Sequence, residues 1–333
     1  MHPPALERTA LLFESRRQLP NQYVMKVDKA SMAESVEARA PYLDRRVAEL
    51  AYHKAHYAAL RLAKEAGLEV ELLNGYRDPY FGGHRPEPSE EFLQDLSARV
   101  TATGAHLGLA VDADADRFGV MDAAGVYRDA NTVLGLLFDY LIETRGWDGG
   151  VARSVATTHL LDRIAARHHR PVYVTQVGFK HLGEYINRGQ VVMVGEESEG
   201  FSMQGHLPEK DGILAGVLVA EMVARKGKGL PELIADLFAK VGPVYNRRLN
   251  FSLTPEVKER LLVSLKTAPA RFAGLDVAEH ITLDGHKYLL SDGSWVCFRP
   301  SGTEPVVRFY FEASSLEAME RLRDAGEALI RET

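Results

Sequence analysis

Three aspartates, Asp112, Asp114 and Asp116, alternate with alanines and run into Arg117, and the hexapeptide is bracketed by two apolar runs. Leu107-Gly-Leu-Ala-Val111 and Phe118-Gly-Val-Met121 are short continuous apolar stretches, so each reads as a buried strand, the second ending at the turn Asp122 to Gly125. The residues between them must then be a loop that gathers three carboxylates into one small volume. Like charges so placed repel strongly without a cation, and hard carboxylate oxygens suit Mg2+ or Ca2+. An EF-hand would need glycine at the sixth loop position and glutamate at the twelfth, where this chain has Arg117 and Ala123, which excludes that geometry. The competing reading is a merely solvated acidic loop. Strict alternation argues against it, as does Arg117, whose fork of donors can hold a phosphate that the metal also touches.

Around this hairpin, strand-like runs alternate with helical patterns from about residue 55 to residue 245, the rhythm of a sheet flanked by helices, so the region is expected to be α/β. The pattern predicts strands over Glu69 to Leu73, Val151 to Val155, Val172 to Thr175 and Val191 to Val194. It predicts helices ending at Gly67, starting near Ser89, and spanning Leu160 to His168 and Ile213 to Arg225. From Asn250 onward the order becomes strand, helix, two strands, helix, which predicts a smaller α+β domain. With 333 residues, 46% hydrophobic and 26% charged, two to three domains are expected.

The net charge of −6 gives no footprint for nucleic acid or an anionic membrane, so an anionic substrate has to meet a locally basic pocket. The lone cysteine, Cys297, excludes a disulfide framework and fits a reducing compartment. No leader or spanning apolar run is read; Leu134 to Leu141 is too short and contains Asp139. A cytoplasmic location is therefore expected.

Three more loops carry chemistry. Gly195-Glu196-Glu197-Ser198 follows a strand and offers the acceptors that a polyhydroxylated ligand needs, although a capped turn would use the same residues. Gly205-His206-Leu-Pro-Glu-Lys210-Asp211-Gly212 sets histidine, lysine and aspartate before an apolar helix; Lys210 there either serves a phosphate or a proton transfer, or is solvated. Arg299-Pro-Ser301-Gly302-Thr303-Glu-Pro305, with Arg308 on the next strand, combines guanidinium, hydroxyls and a permissive glycine into a phosphate cradle, against the alternative of a structural turn.

In this order the loops resemble those of the α-D-phosphohexomutase family, the phosphoglucomutases and phosphomannomutases, from about Ala59 to Thr333. Asp112 to Arg117 looks like the family's metal loop, Gly195 to Ser198 its sugar loop and Arg299 to Pro305 its phosphate loop. Val177-Gly178-Phe179-Lys180 is similar to a further substrate loop, with Val177 where some members have threonine. The resemblance implies that Asp112, Asp114 and Asp116 bind Mg2+, that Glu196 and Ser198 contact sugar hydroxyls, and that Lys210 assists proton transfer. It further implies that Arg299, Ser301, Gly302 and Thr303 hold the non-reacting phosphate, with Lys180, His206 and Arg308 as further substrate-binding residues and Arg117 as a catalytic residue beside Lys210. The implied reaction moves a phosphoryl group between glucose 1-phosphate and glucose 6-phosphate through a hexose bisphosphate, mostly by positioning and charge neutralisation. Glucose rather than mannose rests on likeness to the phosphoglucomutase branch around Gly205 to Gly212.

The family's nucleophile is a phosphoserine in a Thr-Ala-Ser-His-Asn-Pro loop on a first domain, and this chain carries no such loop; Lys29-Ala-Ser31-Met shares only Ala-Ser with it. The segment from Leu19 to Asp44 instead resembles a fragment of the glutamine-hydrolysing asparagine synthetase family, without that family's pyrophosphate loop or cysteine nucleophile. The expected organisation is a helical synthetase-like segment at 1–52, an incomplete second mutase domain at 53–126, a complete third at 127–247 and an α+β fourth at 248–333. The second domain's first strand is expected to be missing, leaving an exposed sheet edge that the N-terminal segment covers, or else a truncated or fused reading frame. A separate chain would have to supply the phosphoserine domain. Without it the chain is expected to be inactive, or a non-catalytic binder of Mg2+ and sugar phosphate.

Overall fold

The computed structural model describes residues 67–74, 83, 85–301 and 305–332, together with the backbone of a strand at residues 10–15. The helix expected to close at Gly67, the synthetase-like segment beyond residue 15, and Gly302 and Thr303 lie outside the described residues.

The first layer is a five-stranded sheet built from β1 (Ala10–Ser15), β2 (Glu69–Leu73), β3 (Leu107–Val111), β4 (Phe118–Asp122) and β5 (Tyr127–Arg128), in the order β2-β1-β3-β4-β5. The sheet therefore does not lack a strand. β1 runs parallel to both β2 and β3, inserted between them, so a run of the chain that sequence patterning passed over, Ala10-Leu-Leu-Phe-Glu-Ser15, completes it from far upstream. β3 and β4 form the expected antiparallel hairpin, fully buried along both strands.

Helix α1 (Gln94–Thr103) starts five residues later than expected, after a single 3-10 turn at Glu90–Phe92. Its buried Leu96 and Val100, one helical turn apart, rest on β3 at Gly108, where a Cβ would come within 2.8 Å of Val100 Cγ2. Gly104, at φ 67°, ends the helix in the left-handed conformation.

The second layer alternates α2 (Ala130–Arg145), β6 (Gly150–Ser154), α3 (Leu160–Arg167), β7 (Val172–Thr175), α4 (Phe179–Asn187), β8 (Val191–Glu196), β9 (Gly200–Met203), α5 (Gly212–Lys226) and α6 (Leu230–Val241). β7, β6 and β8 are parallel and β9 closes the edge antiparallel to β8. α2 is capped by Asp129, whose carboxylate accepts from Thr132 N–H, and every residue from Ala130 to Leu141 is buried. It has no solvent face there because it shares one apolar core with β3, β4 and α5. Asp139 within it is held by Lys240 Nζ at 2.7 Å and by His168 Nε2 at 3.0 Å.

The third layer holds β10 (Tyr245–Ser252), α7 (Pro255–Leu265), β11 (Arg271–Phe272), β12 (Leu275–Ile281), β13 (His286–Leu290), β14 (Trp295–Pro300), β15 (Val306–Ala313) and α8 (Leu316–Arg331). Five strands, not two, separate its helices, because turns at Gly274, Gly285 and Gly293, all at positive φ, fold the polypeptide into short hairpins. β10 begins at Tyr245 and so runs across residue 248. One face of this sheet packs on α7 and α8 through Phe298, Phe309, Phe311, Leu261 and Leu322. The other face, with Trp295, Cys297 and Tyr310, packs on Ala156 and Val177 of the second layer. Cys297 is therefore inert, burial pushing its thiol up to about 12. None of the described helices is long and apolar enough to cross a membrane.

Candidate functional site

The aspartate loop between β3 and β4 turns sharply because Ala115 adopts φ 59° and its N–H donates to Asp112 O at 3.3 Å. One carboxylate oxygen from each of Asp112, Asp114 and Asp116 falls within 4.8 Å of the others. Burial, then Asp116 and Asp114, push the Asp112 carboxyl up to about 8, although Arg117 opposes them. Burial and Asp116 likewise raise Asp114. Arg117 is folded back on the loop, its backbone N–H donating to Asp112 Oδ1 at 3.1 Å and its Nε to Oδ2 at 2.7 Å. Three crowded hard-oxygen donors with too little positive charge among them are the donor set that a Mg2+-sized cation satisfies.

The second layer closes on this loop from one side. Gly212, the first residue of α5, donates its N–H to Ala115 O at 2.8 Å, and a Cβ there would lie 2.2 Å from Arg117 O. Phe118 N–H donates to Glu199 O, and Arg117 bridges to Gly200, so the hairpin of β8 and β9 is clipped to the aspartate loop. Lys210 lies across this junction. Its stem passes over Gly200, where an added Cβ would meet Lys210 Cδ at 2.9 Å, and its Nζ reaches Asp116 Oδ2 at 3.1 Å. Burial works to lower the Lys210 pKa, yet Asp116 and Glu196 leave it raised above the ordinary value. His206, from the same segment, pairs with Asp211 at 2.9 Å, and Asp211 caps α5 by accepting from Leu214 N–H.

Glu196 ends β8, is buried, and accepts from Gly178 N–H at 2.7 Å. Burial and Glu197 push its carboxyl up to about 7, opposed by Gly178 N–H, Lys210 and Arg299. Glu196 therefore stands electrostatically between the lysine of the aspartate side and the arginine of the third layer. Glu197 points to the other side of the loop, where it accepts from Ser154 Oγ at 3.2 Å. Ser198 occupies the hairpin turn, half-buried, and Lys180 is the exposed second residue of α4.

In the third layer Arg299 sits near the end of β14, opposite Arg308 of β15, and donates Nε to Asp284 Oδ2 at 2.9 Å. Ser301 is buried, its N–H donating to Val306 O and its carbonyl accepting from Lys258 Nζ at 3.0 Å. Asp284, Glu199 and Lys258 were not singled out by sequence reading. Asp284-Gly285 is legible as a turn signal, but the partners of its carboxylate are not.

A layered α/β protein with an aspartate triplet and with a lysine and an arginine acting from opposite sides on one buried glutamate is the class that fold and site define. Models for the phosphoglucomutase/phosphomannomutase family match the chain successively, alpha/beta/alpha domain II over residues 23–125, alpha/beta/alpha domain III over 129–241 and the C-terminal domain over 254–328. The chain belongs to the phosphoglucomutase/phosphomannomutase family.

It is 30% identical over 312 residues to a phosphoglucomutase/phosphomannomutase of Thermococcus kodakarensis, covering 93% of this chain and 65% of that protein. It is 33% identical over 270 residues to a protein named as a probable phosphoglucosamine mutase in Methanopyrus kandleri, covering 80% of this chain and 57% of the relative. A solved phosphomannomutase-type structure from Thermus thermophilus superposes with a TM-score of 0.72 at 28% identity, covering 97% of this chain and 61% of the other. The chain thus spans about three-fifths of the length of these relatives. Residues 23–52, expected to resemble an asparagine synthetase, fall within the match to mutase domain II.

Proposed function

We propose that this chain forms the metal-, sugar- and phosphate-binding part of a phosphohexomutase that interconverts glucose 1-phosphate and glucose 6-phosphate, the phosphoserine coming from a domain outside residues 1–333. The observation that carries this reading is the ion pair of Lys210 with Asp116 across the sugar-loop hairpin, because it joins cation site and sugar loop in one rigid frame. Asp112, Asp114 and Asp116 would hold Mg2+, whose charge neutralises the phosphoryl oxygens. Lys210, kept protonated by Asp116 and Glu196, acts as donor to the reacting oxygen rather than as base. Glu196 and Ser198 accept sugar hydroxyls. Arg299, Ser301, Gly302, Thr303 and Arg308 hold the phosphate that does not react, with Lys180 and His206 at the margin of the site and Arg117 fixing the aspartate loop.

The test is turnover of glucose 1-phosphate with Mg2+, with and without a serine-phosphorylated first domain of a phosphohexomutase added as a separate chain. Turnover only in its presence is expected. Calorimetry with glucose 6-phosphate supplies the second arm, binding being weakened at least about tenfold by Arg299→Ala. Binding without turnover would reduce the reading to a non-catalytic Mg2+ and sugar-phosphate binder; neither would reject it.

A further inference from the structure

Arg299 and Glu196 lie on different layers, yet hydrogen bonds through Asp284 and the adjacent backbone of Val177 and Gly178 connect them. Arg299 Nε donates to Asp284 Oδ2 at 2.9 Å, and the same oxygen accepts from the backbone N–H of Val177 at 3.0 Å. The next residue, Gly178, donates its N–H to Glu196 Oε1 at 2.7 Å. Two successive amides of the second layer are thus held by two carboxylates, one from the third layer and one from the sugar loop.

The turn carrying Asp284 is built for this place. Gly285, at φ 88°, lies so close to β14 that a Cβ would be 2.5 Å from Phe298 O and 3.0 Å from Arg299 Cα. Only glycine lets the turn press against the strand that bears the arginine. Gly178, at φ 128°, is the corresponding permissive residue on the other side, turning its N–H toward Glu196 while Val177 faces Asp284.

The structure assigns to Asp284 the role of a positioning residue that locks the phosphate-binding arginine of the third layer and the Val177-Gly178 segment of the second layer into one register. Its carboxylate aims the Arg299 guanidinium by holding Nε, which sets the direction in which the terminal nitrogens project. Through Val177 and Gly178 the same carboxylate fixes the amide that orients Glu196. A ligand with a phosphate at one end and hydroxyls at the other then meets two anchors at a preset spacing. This rests on the function proposed above only for what Arg299 and Glu196 bind; the locking itself does not.

The experiment has two arms on the full chain, with Asp284→Ala and Asp284→Asn, each checked for folding by circular dichroism melting. In the first, amide hydrogen exchange is read at Val177 and Gly178. Asp284→Ala should accelerate exchange at both at least about tenfold while the amides of α2 stay protected, and Asp284→Asn, which keeps one acceptor oxygen, should lie between. Unchanged exchange at Val177 and Gly178 overturns the assignment whether or not the protein binds sugar phosphate.

In the second arm, glucose 6-phosphate binding is measured by calorimetry in a double-mutant cycle with Arg299→Ala. Asp284→Ala should weaken binding about tenfold in the native background and less than about twofold once Arg299 is gone. Equal losses in both backgrounds would show that Asp284 does not act through Arg299. Absence of any binding by the native chain would reject the substrate reading, while the exchange arm still decides the lock. Should Asp284→Ala not fold, Asp284→Asn carries both measurements.

Discussion

Lys210 Nζ stands 3.1 Å from Asp116 Oδ2, and its stem passes over Gly200, where an added Cβ would lie 2.9 Å from Lys210 Cδ. The lysine is thus both counter-charge to the aspartate triplet and a neighbour of the β8–β9 hairpin at Gly200. Removing it separates the two roles. Lys210→Met should bind Mg2+ several-fold more tightly, since a neighbouring cation no longer competes for Asp116. Turnover with a phosphoserine donor should fall by about 10²–10⁴. Calorimetry with MgCl2 and a coupled assay read the two; weaker metal binding in the variant would contradict the electrostatic account.

Mg2+ binding should itself be visible as stabilisation, because a ligand of the native state raises the unfolding temperature by mass action. The native protein is expected to melt higher with increasing MgCl2. Asp114→Asn, which removes one negative charge and one of the two carboxylate oxygens without touching the Arg117 contacts, should shift the dependence to at least about tenfold higher concentration. An equal response in both would place the cation elsewhere.

At Gly212 the backbone of α5 lies against the aspartate loop, and an alanine Cβ would be 2.2 Å from Arg117 O. Backbone cannot yield as a flexible side chain does, so Gly212→Ala should cost about 1–3 kcal/mol. A melting temperature lower by a few degrees is expected, and an unchanged one would show that the loop yields without cost.

Lys287 gives a pH signature. It is buried between the second and third layers, donating to Val155 O at 2.7 Å and facing His159 Nε2 at 2.8 Å, with its ammonium 3.6 Å from the centre of the Trp295 ring. Burial, reinforced by Arg153, pushes its pKa down to about 7. In the unfolded chain it returns to about 10.4. Between these values the unfolded state binds more protons, so this group's contribution to stability is complete above the unfolded value and is lost as pH falls toward 7. Lys287→Met should therefore flatten the rise of melting temperature between pH 7 and pH 10. A parallel rise in the variant would show that other groups cause it.

Much of the second layer was readable from the sequence because its central strands β6 and β8 are buried on both faces, β8 as the apolar run Val191-Val-Met-Val194 bounded by polar turns. The aspartate hairpin was readable for the same reason, since Leu107–Val111 and Phe118–Asp122 leave no other place for the carboxylates than the loop between them. The third layer was less legible: β12, at Leu275–Ile281, alternates half-buried with exposed residues, so no apolar run announces it.

By itself the sequence marked out candidate residues for metal, sugar and phosphate, because candidacy depends on side-chain chemistry and on spacing within single loops. Tertiary structure alone decided how those loops face one another. β1 enters between β2 and β3 from about fifty residues upstream, Lys210 reaches Asp116 over a glycine, and Asp284 joins Arg299 to Val177 over more than a hundred positions of chain. Such contacts are fixed by strand order and by close backbone approach, which depend on the packing of whole layers and leave no local periodicity in the residues that make them.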